Sequence, residues 1–314
     1  MKAVAIESYG GKEMLKLREL PIPEMSPAEV LIKVEAAGVG IWDAIVRQGF
    51  MEEMVPATFP LVLGGDGSGT IAAVGADAQG FRLGDKVYGY AFLSPKGGFY
   101  ANDVVLPTDQ VALVPKGLTM EQAGALAVPG LTALHGLTDA LKLKAGDRLL
   151  IFGVGSVGHL AVQLAKRLDV QVLAVASGKD SVALARAAGA DEVVDGKGGD
   201  LAAAIHRFAP EGLDAVLATV NGKGLDTAIT AIRQGGRLAY PNGVQPEPKA
   251  GHGVAAVNYS GTPDRQTFDR LNALIEAGPF SVQIDQRFPL SEAVQAQAAM
   301  EEHHLGRMVL LTAH

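Results

Sequence analysis

Apolar and polar positions recur with two different periods in this chain, and the change falls near Val114. Before it the apolar runs are short, as at Lys2–Ile6 and 15–19, with the Gly10-Gly11 pair as a turn between them. Pro21, Pro23 and Pro27 mark a rigid loop. Residues 29–36 alternate, with Val30, Ile32 and Val34 on one face, which predicts a half-buried strand. Gly38 and Gly40 are expected to end that strand, and 43–48 reads as one or two helical turns. A loop holding Pro56 and Pro60 comes next, then further short strands punctuated by glycine. This first part resembles a small, partly open β-barrel.

Beyond Val114 the period lengthens. Thr119 with Gln122 forms a capping-box pattern heading a helix to 127, Pro129-Gly130 is expected to interrupt, and 132–141 continues helically. Helices are predicted at 181–188, Leu201–Phe208 and 225–232, between strands at 192–194, 215–218, 237–240 and 254–258. That succession specifies an α/β domain with a doubly wound parallel sheet. A helix over 264–277, another from Ser291 and a strand at Arg307–Leu311 close the chain. The last strand has no slot in the parallel sheet, so residues 1–120 with 262–314 are expected to form one domain and 121–261 the other.

The centre of the second pattern is 147–177. A buried-strand run at 149–152 leads into Gly153, Gly155 and Gly158 at G-x-G-x-x-G spacing, then a helical pattern from 157 and a second apolar run at 170–176. Gly153 permits a tight turn, Gly155 lets backbone approach a pyrophosphate, and Gly158 lets helix pack closely on strand. The helix N-terminus adds free amides and the positive end of its dipole for the phosphates. With 39 glycines in the chain the spacing alone is weak evidence, and the flanking strand and helix carry the assignment. The uncharged run 149–165 is short for a bilayer, and its glycines cluster where a soluble loop belongs.

Composition narrows the partners. The formal charge of -7 offers no basic face for nucleic acid or an anionic membrane surface. There is no cysteine, hence no disulfide, thiolate nucleophile or thiolate-held metal. The first residues lack an apolar targeting segment, so a cytoplasmic location is expected. At the end of the second apolar run stand Ser177, Gly178 and Lys179 where an NAD site usually has an acid. A hydroxyl and an ammonium suit a 2′-phosphate, which predicts NADPH (NADP+) as cofactor, with Asp180 as the opposing sign. Asn221 and Asn242-Gly243 follow strands at the C-terminal edge where cofactor contacts gather.

Stretches across nearly the whole chain then converge on one family: residues 36–49 (AAGVGIWDAIVRQG), 60–71 (PLVLGGDGSGTI), 81–89 (FRLGDKVYG), 123–137 (AGALAVPGLTALHGL) and the final LGRMVLL. The chain resembles the medium-chain dehydrogenase/reductase superfamily, in its zinc-free quinone oxidoreductase-like branch. That resemblance implies a GroES-like catalytic domain, split in sequence around a Rossmann domain. Zinc-bearing relatives have Cys where this chain has Gly40, and His-Glu where it has Gly65-Asp66, so no metal is expected. Asp43 matches the aspartate of the quinone-reductase stretch; Gly40 replaces its asparagine and Ile45 a common tyrosine. The resemblance places Thr132 on the nicotinamide phosphate side and the amides of Ser156 and Val157 at the pyrophosphate, puts Arg307 where a lysine is common, and implies an edge-to-edge homodimer through 254–258. The lysine of the relatives' NADPH sites aligns closer to Ser181 than to Lys179.

The expected activity is zinc-independent, NADPH-dependent reduction of quinones or α,β-unsaturated carbonyls by direct hydride transfer. Asp43 and Tyr90 are the candidate catalytic residues. Asp43 either serves the reaction or holds the backbone around Gly38 and Gly40, or pairs with Arg47. Tyr90 either orients substrate or is a barrel tyrosine with a satisfied hydroxyl, as Tyr100 can be. Trp42 shapes an apolar slot or fills core. Two other functions stay open: a nucleotide-binding structural or regulatory protein with little turnover, and a zinc-free alcohol/aldehyde oxidoreductase needing a proton-transfer residue that the pattern does not reveal.

Overall fold

The computed structural model describes residues 1–53 and 58–312; the loop expected around Pro56 falls partly outside them. Backbone contacts divide the chain into two compact units, Met1–Val128 with Pro263–His314, and Pro129–Thr262.

Up to Val128 the chain forms β1 (Lys2–Ile6), β2 (Lys16–Glu19), β3 (Glu29–Val39), α1 (Ile41–Arg47), β4 (Leu61–Val62), β5 (Asp66–Val74), β6 (Lys86–Tyr90), β7 (Asp103–Pro107), β8 (Val111–Leu113) and α2 (Met120–Gly124). α3 (Ala127–His135) follows, all but its first two residues belonging to the second unit. Strand β3 does not stop at 36. It runs on through Gly38, which pairs with Asp66 of β5, because a side chain there would collide with Arg307 and Asp66. Thr119 and Gln122 form the expected capping box, but α2 ends at Gly124. A Cβ on Gly124 would lie 2.8 Å from the Ala36 carbonyl, so this helix is seated directly on β3. That contact is why the first unit extends to Val128 rather than to 120. Pro129 does not interrupt either. It sits in the first turn of α3, where an amide would have no partner within the helix. Gly136–Ala140 continues as a single π-helical turn.

The second unit contains β9 (Arg148–Phe152), α4 (Gly158–Arg167), β10 (Gln171–Ala176), α5 (Lys179–Ala187), β11 (Glu192–Asp195), α6 (Leu201–Phe208), β12 (Leu213–Ala218), α7 (Leu225–Thr230), β13 (Ile232–Pro241) and β14 (Ala255–Tyr259). Its sheet has the order β11-β10-β9-β12-β13-β14 with every pairing parallel. Leu149, Leu150 and Ile151 are fully buried, as expected of a strand covered on both faces. The chain winds outward in both directions from β9 and β12, so the crevice at their C-terminal ends is the switch point where such sheets bind ligands. α5 begins at Lys179, two residues before the expected start, with Gly178 as its N-cap at φ 91°.

The remainder, α8 (Arg265–Glu276), β15 (Ile284–Pro289), α9 (Ala293–Ala299) and β16 (Arg307–Leu311), returns to the first unit. β16 pairs antiparallel with β3, and β15 lies parallel beside it at the edge of the order β15-β16-β3-β5-β6-β8, with β7 also on β3. β15 has no counterpart in the sequence reading, since its half-exposed residues IDQRFP give no clean alternation. Among the described residues no helix is long and apolar enough to cross a membrane.

Candidate functional site

In the second unit the three fingerprint glycines have three different surroundings. Gly153 leaves β9 at φ 99°. A Cβ on Gly158 would stand 1.9 Å from the Gly153 carbonyl oxygen, so the first turn of α4 touches the strand end. Above Gly155 there is nothing within 4 Å, and the residue is exposed. Tight turn, close approach and open cradle are the arrangement a pyrophosphate requires. Ser156 and Val157 lie between, at the start of α4.

Two side chains outside the motif hold this turn. The Thr219 hydroxyl, just past β12, lies within hydrogen-bonding distance of the carbonyls of Phe152 at 3.2 Å and Gly153 at 3.0 Å. His159 is fully buried, and its Nδ1–H donates to the Gly155 carbonyl at 2.9 Å. A carbonyl can only accept, so that bond sets the tautomer. Burial pushes the imidazole down to about 4, and it stays neutral near pH 7.

At the end of β10, Ser177 and Lys179 are exposed on either side of Gly178. The Gly178 amide donates to Asp195 Oδ1 at 3.1 Å, as does the Lys197 amide at 3.0 Å. These two amides hold the Asp195 carboxyl below the usual range. Of the other candidates, Thr132 in α3 abuts Gly261, beyond β14: a Cβ on that glycine would lie 2.6 Å from the Thr132 amide. Asn221 donates to the Pro246 carbonyl at 2.5 Å, and Asn242 to Ser260 Oγ at 2.5 Å, so both amides tie loops at the strand ends. Gly243 has φ 93° in the same loop.

The first unit gathers Asp43, Asp66, Tyr100 and Arg307 in its interior. Asp43 Oδ2 accepts from the Gly40 amide at 2.8 Å and the Tyr100 hydroxyl at 3.1 Å, and Oδ1 from the Gly65 amide at 3.1 Å. It does not pair with Arg47, whose Nε donates to Gln297 at 2.8 Å and whose Nη1 bonds the Gly10 carbonyl. Asp43 thus binds two loop amides together, and burial pushes its carboxyl up from the ordinary value despite those donors. Asp66 accepts from Arg307 Nη2 at 2.5 Å and from the Val128 amide at 3.1 Å. Burial raises it to about 6, against the Arg307 charge. Arg307 reaches it over Gly38, passing 2.8 Å from where a Cβ on Gly40 would be.

Tyr90 is paired with Asp66 across β5 and β6, so the two side chains share a face. Its ring meets Phe92, which in turn meets Trp42. Burial and the neighbouring Asp66 raise its hydroxyl to about 12, which keeps it a donor. Asp43 also borders a small recess lined chiefly by apolar side chains, among them Val46, Leu63, Phe92 and Pro95. The residues do not fit a zinc ion. Among the described residues no group of three or more carboxylate or imidazole side chains could hold a metal, and a guanidinium stands beside Gly40.

Thr219, Asp66, Asp195 and Lys197 were not singled out from sequence. Only Asp66 had a signal there, its place next to Gly65; the others become relevant through contacts between distant strand ends.

Comparison with known proteins agrees with both units. The family model for the alcohol dehydrogenase GroES-like domain matches residues 26–116, and that described as zinc-binding dehydrogenase matches residues 156–249. A quinone oxidoreductase of Pseudomonas aeruginosa is 30% identical over 99% of this chain and 99% of its own. Among solved structures, an NAD-dependent alcohol dehydrogenase superposes with a TM-score of 0.88 at 29% identity, covering 100% of both chains. A mycobacterial protein complexed with NADPH superposes with a TM-score of 0.81 at 29% identity, covering 99% of each. With its GroES-like and Rossmann folds and a full-length relative at this identity, the chain belongs to the medium-chain dehydrogenase/reductase superfamily, in the quinone oxidoreductase-like branch, and is an oxidoreductase.

Proposed function

We propose that this protein is a zinc-independent, NADPH-dependent reductase of quinones or α,β-unsaturated carbonyl compounds. The observation that carries the reading is the open cradle above Gly155 within an otherwise tightly packed turn. The names of the Pseudomonas relative and of the NADPH-bound mycobacterial structure support it; the NAD-dependent neighbour is the counterweight.

Gly153, Gly155, Ser156, Val157 and Gly158 would hold the pyrophosphate, and Thr132 the phosphate on the nicotinamide side. Ser177, Gly178 and Lys179 would face the adenosine ribose, with Asn221, Asn242 and Gly243 shaping the loops at the sheet's C-terminal edge. When bound, the coenzyme supplies hydride. The protein's own part is to hold an apolar acceptor, for which the recess beside Asp43 is suited, and to meet charge developing on its oxygen. Tyr90 is the donor best fitted to that task, while Asp43, with its oxygens already committed to three donors, positions the Gly40 and Gly65 segments. The outer edge of β14 is the proposed contact for a homodimer, which sedimentation at micromolar concentration tests directly.

The deciding measurement is NADPH oxidation against a panel of small quinones and enals. Turnover with a member of either class is expected. Tight nucleotide binding without turnover on any member would instead support a regulatory protein, the reading favoured by Gly40 and Ile45 in place of polar groups.

A further inference from the structure

The loop after β11 is folded back over the end of β10. The Gly196 amide donates to the Ala176 carbonyl at 2.8 Å, and the Gly198 and Gly199 amides return to the Asp195 carbonyl at 3.2 and 2.7 Å. Asp195 in turn grips the Gly178 and Lys197 amides. The loop backbone is therefore fixed on both sides of Lys197. Its Nζ lies 3.8 Å from the point where a Cβ on Gly178 would stand, in space otherwise open among the described residues beyond that glycine's chain neighbours. Position 178 has φ 91°, which favours glycine, and the missing side chain leaves the ammonium room above the strand end.

Ser177 and Lys179 are the neighbours of Gly178 in the chain, and both are exposed. Among the described residues the Lys197 ammonium makes no ion pair within 4 Å, and neither the Ser177 hydroxyl nor the Lys179 ammonium has a hydrogen-bond partner. A phosphomonoester carries nearly two charges and several acceptor oxygens, and is bound well by cations and hydroxyls together. A ribose diol has no such charge and gains little from an ammonium. Two carboxylates stand near in the chain, Asp180 beside Lys179 and Asp195, and Asp195 is engaged by the two amides and by the Lys197 charge.

We propose that Lys197 is the specificity-determining cation for the coenzyme's 2′-phosphate, completing with Ser177 and Lys179 a subsite for a ribose phosphomonoester. This rests on the NADPH reading above, and its test separates the two. Calorimetric titration of the full chain with adenosine 2′,5′-bisphosphate and with 5′-AMP isolates the contribution of the 2′-phosphate without any turnover. The wild type is expected to bind the bisphosphate at least about tenfold more tightly, with the margin shrinking as salt is raised. Lys197→Met should narrow that ratio by about tenfold while leaving 5′-AMP affinity unchanged, and Lys197→Arg should retain it. Position 197 is exposed, so neither variant threatens the fold. A wild-type preference that survives Lys197→Met intact would overturn the role of Lys197 and leave the NADPH reading standing. No preference in the wild type would overturn the NADPH reading and this subsite with it.

Discussion

Glycines do opposite work in the two units. In the fingerprint turn, Gly155 keeps space open: no atom lies within 4 Å of a Cβ placed there. Beneath the GroES-like sheet, Gly38 and Gly40 leave space that the chain then fills itself, with the Arg307 guanidinium 2.4 and 2.8 Å from the corresponding points. One absence of side chain fits a ligand; the other accommodates an internal ion pair. The same residue type therefore leaves open space in one place and makes room for packing in the other, and what occupies the vacated volume distinguishes them.

The largest expected effect comes from breaking the filled space. Arg307→Met or Asp66→Asn should each destabilise by about 3–5 kcal/mol, because each leaves a buried group of the other without its partner. The double variant should be less damaging than the two losses added together, and urea unfolding of all four proteins closes the cycle. An additive double variant would mean that the pair is not a coupled unit.

One buried group in each unit, His159 and Asp66, answers pH with the opposite sign. His159 has a folded value of about 4, below the ordinary 6.5, so the unfolded chain takes the proton first. Its contribution, about 3 kcal/mol, is fully present above pH 6.5 and lost as pH falls toward 4. Asp66 at about 6 is raised above 3.8, so its contribution is full below pH 3.8 and lost as pH rises through 6. Urea midpoints from pH 4 to 7 should fall less steeply toward acid in His159→Asn than in the wild type. An unchanged slope would show that the imidazole is not held neutral by burial.

The most direct contrast between the glycines is a pair of alanine substitutions. Gly38→Ala forces a shift of the paired guanidinium and of the Gly124 carbonyl, 2.9 Å away, and should cost about 2 kcal/mol in thermal unfolding. Gly155→Ala should change stability by no more than about 0.5 kcal/mol. It should nevertheless weaken NADPH binding by about tenfold, measured by fluorescence titration, if the coenzyme occupies the cradle. Equal stability losses at the two positions would erase the distinction.

Much of the scaffold could be read directly. Helix Leu201–Phe208 and strand Arg307–Leu311 have the limits expected from their patterns, because a strong period with clear breaks leaves little choice of boundary. The Thr119–Gln122 capping box is likewise local chemistry between residues three apart. Where reading failed, a distant contact had overruled a local preference. β3 passes through Gly38 because Arg307, far along the chain, needs that gap. α2 stops at Gly124 on the Ala36 carbonyl, and β15 forms only because β16 offers it an edge. At the candidate site, the glycine turn was legible but the contacts of Thr219 and Lys197 were not, since nothing in their own neighbourhoods points to Gly153 or Gly178.

The sequence by itself determined the alternation of strands and helices in the second unit, the glycine turn and the absence of thiolate chemistry, since periodicity, spacing and composition are properties of neighbouring residues. Tertiary structure alone decided that Asp43 ties two loop amides, that Asp66 is held by Arg307, and that Lys197 stands over Gly178. Burial and hydrogen bonding between residues far apart in the chain set those environments, and a charge acquires its role only from what surrounds it.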